Sequence, residues 1–224
     1  MPLRHEPDVA NANWFTQSGD PWAQLSSIGP SGFARYARVF HSVQPGADES
    51  DRDSLINLEG HLDHETLQRL VGVLEPHTTT PLDCFFGLWD GFGDIHGSPS
   101  VGLLKADSHG LETDRWIPPA FSPVVLNGPR VCIPARDYLL FRGPLRLAGQ
   151  WGAADLVPGR QRDLNSPNLM WPADHAWFTA TEIDLPWTGV AGTAELIEDL
   201  LAAAGLDVEV VEPSGKLPYW RSGA

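Results

Sequence analysis

Two acidic segments and a set of aromatic side chains are the parts of this sequence that could do chemistry. Asp90, Asp94 and His96 fall within seven residues, in the glycine-punctuated stretch DGFGDIHG. Two carboxylates and an imidazole on such a loop can ligate a divalent cation, or present an acid and a base to one substrate. Glu182 and Asp184 stand two apart, so on a strand they share a face, and like charges in proximity raise one pKa, as in catalytic carboxylate pairs. If the two segments meet in one cleft, these five residues predict a metal-assisted or carboxylate-based hydrolase. If Glu182 is instead buried, it needs a cationic partner, for which Arg136 and Arg142 are the candidates.

A second group points to ligand binding. Trp171, His175, Trp177 and Trp187 cluster late in a chain that carries nine tryptophans. Indole faces stack on flat or apolar ligands while the N–H donates a hydrogen bond, and Arg142 could supply a cation beside them. Each set also has an ordinary structural use: Asp90-Gly91 as a turn, strand-end acids facing water, tryptophans as core. His61 and His64, spaced i, i+3, give a metal pair without the HExxH pattern, and no metal ligand set is assigned; any cofactor is unknown.

The familiar catalytic and nucleotide motifs are absent. GxSxG, GxGxxG and GxxxxGK[ST] do not occur, and the loop at 90–97 lacks the third acidic position and closing glutamate of a calcium loop. With 15 Lys plus Arg against 29 Asp plus Glu, the formal charge of -14 disfavours nucleic acid and anionic membranes and favours a basic protein partner or a small polar ligand. Cys84 and Cys132 have no CxxC neighbour and read as buried thiols of a reducing, cytoplasmic protein. No window approaches the ~20 apolar residues of a membrane span, and the N-terminus has no signal-like apolar core.

The elements that must hold these residues can be read from periodicity. Residues 176–184 alternate as a strand, Thr193 caps a helix with Leu196, Ile197, Leu200 and Leu201 as its apolar stripe, and Gly205 ends it before a strand over 206–211. Asp63 caps a second helix, with Leu67, Leu70, Val71 and Leu74 inward and Pro76 at its end. Cys84–Trp89 is a short apolar run that fits a strand buried on both faces, with a buried helical piece as the alternative that periodicity leaves open, and residues 133–142 read as another strand. Residues 21–43 predict a hairpin around the turn Gly29–Gly32, with a helical turn at the start of the second limb as the alternative. Val101–Leu104 is a candidate short strand, Gln44–Gly60 an acidic loop, and Tyr219 and Trp220 a loosely docked tail.

The segments FARYARVFH, HTTTPLDCFFGLWDGFGD, RDYLLFRGPL and SPNLMWPADHAWFTATEID together resemble a family of uncharacterised actinobacterial proteins. The resemblance runs from Phe33 to about Val211. It implies a single domain in a bacterial intracellular setting and brings no activity, cofactor or catalytic residue.

The expected fold is α+β, with a mixed, mainly antiparallel sheet, two main helices and long Pro/Gly-rich loops. Residues 1–20 are expected as a flexible arm that attaches through Trp14 and Phe15, ahead of one domain over 21–224. The leading functional expectation is a non-catalytic acidic binding or regulatory domain, able to neutralise a basic protein. The hydrolase and an aromatic-pocket ligand binder are the alternatives.

Overall fold

Cys84–Trp89 lies near the middle of the molecule because its side chains have apolar neighbours on both sides. In the computed structural model, which describes residues 2–41, 59–100, 105–107, 110–112, 116–213 and 219, this run is strand β3. Among the described residues the strands are β1 (Arg4–His5), β2 (Arg35–Phe40), β3 (Cys84–Trp89), β4 (Lys105–Asp107), β5 (Gly110–Glu112), β6 (Val131–Ile133), β7 (Arg136–Gly143), β8 (Leu169–Pro172), β9 (Phe178–Ala180), β10 (Trp187–Gly192) and β11 (Asp207–Val211). Nine of them form one antiparallel sheet in the order β1-β7-β3-β8-β9-β10-β2-β11, with β6 also on β7; β4 and β5 pair separately. The expected strand Val101–Leu104, most of the Gln44–Gly60 loop and Trp220 lie outside the described residues.

Helices cover both faces of the sheet. Among the described residues they are α1 (Asn13–Thr16), α2 (Trp22–Ser27), α3 (His64–Leu74), α4 (Gly93–His96), α5 (Pro123–Leu126) and α6 (Ala194–Ala202). Phe86, Leu88, Leu139 and Phe141 pack with Leu67 and Leu70 of α3 and Leu196 and Ile197 of α6. Their strand neighbours Phe85, Tyr138 and Leu140 turn the other way, onto Phe15, Leu25 and Ile28 from the N-terminal segment. A period-two strand buried on both faces needs a continuous apolar sequence, and burying each large side chain contributes about 1.5–3 kcal/mol.

The helix starts agree with their caps. Asp63 accepts from the amides of Glu65 and Thr66, and Thr193 Oγ1 from Leu196 at 3.1 Å. These contacts satisfy amides that the first helical turn leaves free. On α6 the buried stripe is Leu196, Ile197 and Leu200, whereas Leu201 is 48% exposed. Residues 2–20, expected as an arm, contribute β1 to the sheet, and Phe15 is fully buried.

Four expectations are corrected. The first limb of the supposed hairpin at 21–43 is helix α2: the Pro21 carbonyl accepts from Gln24 and Leu25, and Leu25 and Ile28, three apart, turn inward together. The strand expected over 176–184 is only Phe178–Ala180, and Glu182 and Asp184 lie in the connection that follows it. Beyond them Trp187–Gly192, for which the sequence suggests no element between the expected strand and the helix capped by Thr193, is a fully buried central strand. The strand over 133–142 is a hairpin, β6 to β7, with Ala135 at φ 66° in its two-residue turn.

Candidate functional site

The turn before β7 decides where the first charged side chain goes. Ile133 and Arg136 pair across it, so Arg136 leaves the strand at its first residue. From there its guanidinium reaches the connection between β9 and β10. Arg136 Nε donates to Glu182 Oε1 at 2.9 Å, Nη2 donates to the same oxygen, and Nη2 also reaches Asp184 Oδ2 at 3.2 Å. The two carboxylates therefore do come together, as neighbours of one cation. Burial alone would lower the arginine's pKa, but Glu182 and Asp184 outweigh it and hold the pKa above its ordinary value.

Aromatic rings flank this ion group. The Arg136 Cζ lies 5.7 Å from the ring centroid of Trp22 and 5.8 Å from that of Trp89, within cation–π range. Trp22 is placed by α2, which rests directly on the β10 backbone. A Cβ on Gly189 would come within 2.2 Å of the Ser27 carbonyl oxygen and 2.6 Å of the Ile28 Cα. Only glycine permits that approach. The Glu182 side is fixed by backbone: Leu185 N–H donates to Glu182 O at 3.1 Å and Gly60 N–H to Leu185 O at 3.1 Å.

Between these elements lies a cleft of about 630 Å³, a size that takes small molecules. Trp22, Ile28, Leu185 and Trp187 supply apolar lining, and Arg136, Glu182 and Asp184 are the charged side chains among its described lining residues. Glu182 is 7% exposed, and its Oε2 has no hydrogen-bond partner. The indole N–H of Trp187 is also unpartnered, but so are those of Trp14, Trp171 and Trp177 elsewhere. The carboxylate oxygen is the telling group, because an ionisable oxygen buried without a partner costs more than a neutral N–H; Asp90 Oδ1 is also without a hydrogen-bond partner, but it lies 3.4 Å from His96 Nε2 and its residue does not line the cleft.

The other candidates are placed differently. Asp90 accepts from Arg130 Nε at 3.0 Å, and His96 Nε2 is 2.7 Å from the Asp90 carbonyl oxygen and 3.4 Å from its Oδ1. Asp94 is exposed on the helical turn α4. None of Asp90, Asp94 and His96 lines the 630 Å³ cleft; Asp90 is partnered by Arg130, where Glu182 and Asp184 use Arg136. Gly91 is required there because a Cβ would lie 2.1 Å from the Trp89 ring. No group of three or more His, Cys, Asp or Glu among the described residues is arranged to hold a metal ion.

Trp171 and Trp177 are fully buried, Trp171 stacked on Phe85 at 5.3 Å. His175 stacks on Trp14 at 4.3 Å, and burial lowers its pKa. The preceding Asp174 accepts from Thr78 and Thr79; together the pair fastens this loop to two neighbouring segments. Arg142, at the far end of β7, grips Asp83 through Nε at 2.5 Å and Nη2 at 2.7 Å, with Glu6 at 3.4 Å. His61 and His64 border a smaller cavity of about 300 Å³ with Asp63, whose carboxylate is spent on capping α3. Cys84 and Cys132 are both free thiols, but only Cys84 is buried; Cys132, expected to be buried, is exposed because the middle residue of the short strand β6 faces away from the core. Burial pushes the Cys84 thiol up to about 12, so it is no nucleophile at neutral pH.

Sequence reasoning missed Trp22 as a site residue and named Arg136 only as a partner. A signal existed for Trp22: Pro21 followed by Leu25 and Ile28 at helical spacing marks a short helix whose first residue is aromatic. Comparison with known protein families, curated proteins and solved structures finds no match. No described helix is long and apolar enough to cross a membrane.

Proposed function

We propose that this protein is a non-catalytic binding domain whose Trp22–Arg136–Glu182–Trp187 cleft takes a small polar ligand with an apolar body. The observation that carries this reading is Glu182 Oε2, a buried carboxylate oxygen without a partner, in a residue that lines a ligand-sized cleft. Native interiors pair such groups, and exceptions concentrate where function requires them. The engagement of both carboxylates with Arg136 favours binding over proton transfer, since Glu182 Oε1 and Asp184 Oδ2 already accept from a guanidinium, which has no proton to relay. The cytoplasmic setting and the exclusion of nucleic acid rest, as before, on cysteine use and net charge. A basic protein remains the partner that the overall charge of -14 would attract, and the cleft is where its side chain or a free small molecule would seat.

The test is a charge-diverse fragment panel screened by two-dimensional NMR on the full chain. Hits should shift the Trp22 indole N–H and the Arg136 Nε–H together, and Trp22→Ala should remove them. A panel in which no fragment moves these two signals overturns the reading.

A further inference from the structure

Resting on that cleft, we infer that its ligand is a primary amine carried on an aromatic or aliphatic body, with the ammonium hydrogen-bonded to Glu182 Oε2. Charge sets the class first. One guanidinium against two carboxylates leaves a surplus negative charge among the lining residues, which repels an anion and attracts a cation.

Geometry then separates kinds of cation. Two N–H groups of Arg136 converge on Glu182 Oε1, so a single oxygen of that carboxylate is left over. A guanidinium ligand matches a carboxylate best through two parallel bonds to its two oxygens, and one of those is taken. A divalent metal would need several oxygens and would sit beside the Arg136 cation. A quaternary ammonium has no N–H to give. An ammonium group can donate one N–H to Oε2 and keep others for Asp184, whose side chain is 75% exposed, or for water. The apolar lining from Ile28, Leu185 and Trp22 accounts for the body of the ligand.

Access follows from the same walls. Oε2 is closed to water, so a lining side chain must yield for a donor to reach it. Of the two indoles that line the cleft, Trp22 is 40% exposed at the start of α2, whereas Trp187 is fully buried.

Four probes of similar shape test this: 2-phenylethylamine, its N-trimethylated ammonium, 2-phenylethanol and 3-phenylpropanoate, titrated by NMR with the Trp22 indole as reporter. The amine should bind at least about tenfold more tightly than each of the others, a difference expected of one charge-assisted hydrogen bond. Glu182→Gln should erase most of that advantage. Binding of the alcohol, carboxylate or trimethylammonium as tight as that of the amine overturns the assignment to primary amines while the cleft stands as a ligand site. If none of the four moves the Trp22 signal and the fragment panel is also silent there, the assignment and the cleft reading fall together. The ranking on the unaltered protein decides the matter even if Glu182→Gln does not fold.

Discussion

The two ends of β7 carry the same chemistry to opposite effect. At one end Arg142 meets Asp83 through both carboxylate oxygens, adds Glu6 and lies 4.9 Å from the Phe85 ring centroid. At the other, Arg136 spends two donors on one oxygen of Glu182 and leaves the second unpartnered beside a cleft. Both arginines were candidates to partner a buried acid, and residue type did not distinguish them. What differs is completeness. A carboxylate with both oxygens satisfied is fastening the fold, whereas one with an oxygen in reserve next to a cavity can serve a ligand.

The largest expected effect concerns the roof of the open end. Gly189→Ala would drive a Cβ into the Ser27 carbonyl and lift α2, lowering stability by about 3 kcal/mol in urea unfolding and raising hydrogen exchange in α2 above that elsewhere. Unchanged stability would mean that α2, and with it Trp22, is not seated on β10.

The second prediction sets amide against carboxylate at each end. Asp83→Asn places an NH2 where Arg142 already donates and should cost about 1 kcal/mol, discounted because Asp83 is 40% exposed. Glu182→Gln can keep its carbonyl on Arg136 and turn its NH2 to the unpartnered side, so its cost should stay within about 0.5 kcal/mol. Equal costs at both ends would remove the contrast between them.

Ala135 tests how the open end is aimed. Its φ of 66° is unfavourable for a residue with a Cβ, so Ala135→Gly should gain about 0.5 kcal/mol in unfolding experiments, once the entropy of the added glycine is subtracted. A loss would show that the turn is not strained.

The smallest effect is a pH window at the closed end. The hydrogen bond from Arg142 holds the Asp83 carboxyl below its ordinary 3.8. A carboxyl depressed in the folded state adds stability that is fully present above the unfolded value and is lost as pH falls through the folded one. The stability gap between wild type and Asp83→Asn should therefore be constant near neutrality and narrow below pH 3.8. A gap independent of pH would detach Asp83 from Arg142.

The sequence alone was enough for what depends on short-range pattern. Asp63 and Thr193 announced their helices because a capping oxygen and an apolar stripe lie within a few residues of each other. Cys84–Trp89 announced a two-faced strand because no polar residue interrupts it, whereas the need of Glu182 for an arginine followed only on condition that it is buried, which the structure supplied. Tertiary structure decided the rest. Trp187–Gly192 is a central strand although two glycines weaken its propensity, because those glycines let Ile28 and Leu196 approach the backbone. Arg136 rather than Arg142 took Glu182, and Trp22 joined them, because the β6–β7 turn, the β9–β10 connection and α2 converge across segments far apart in the chain. Periodicity reports which side of its own element a residue occupies; which other element lies against that side is set by how the whole sheet is ordered.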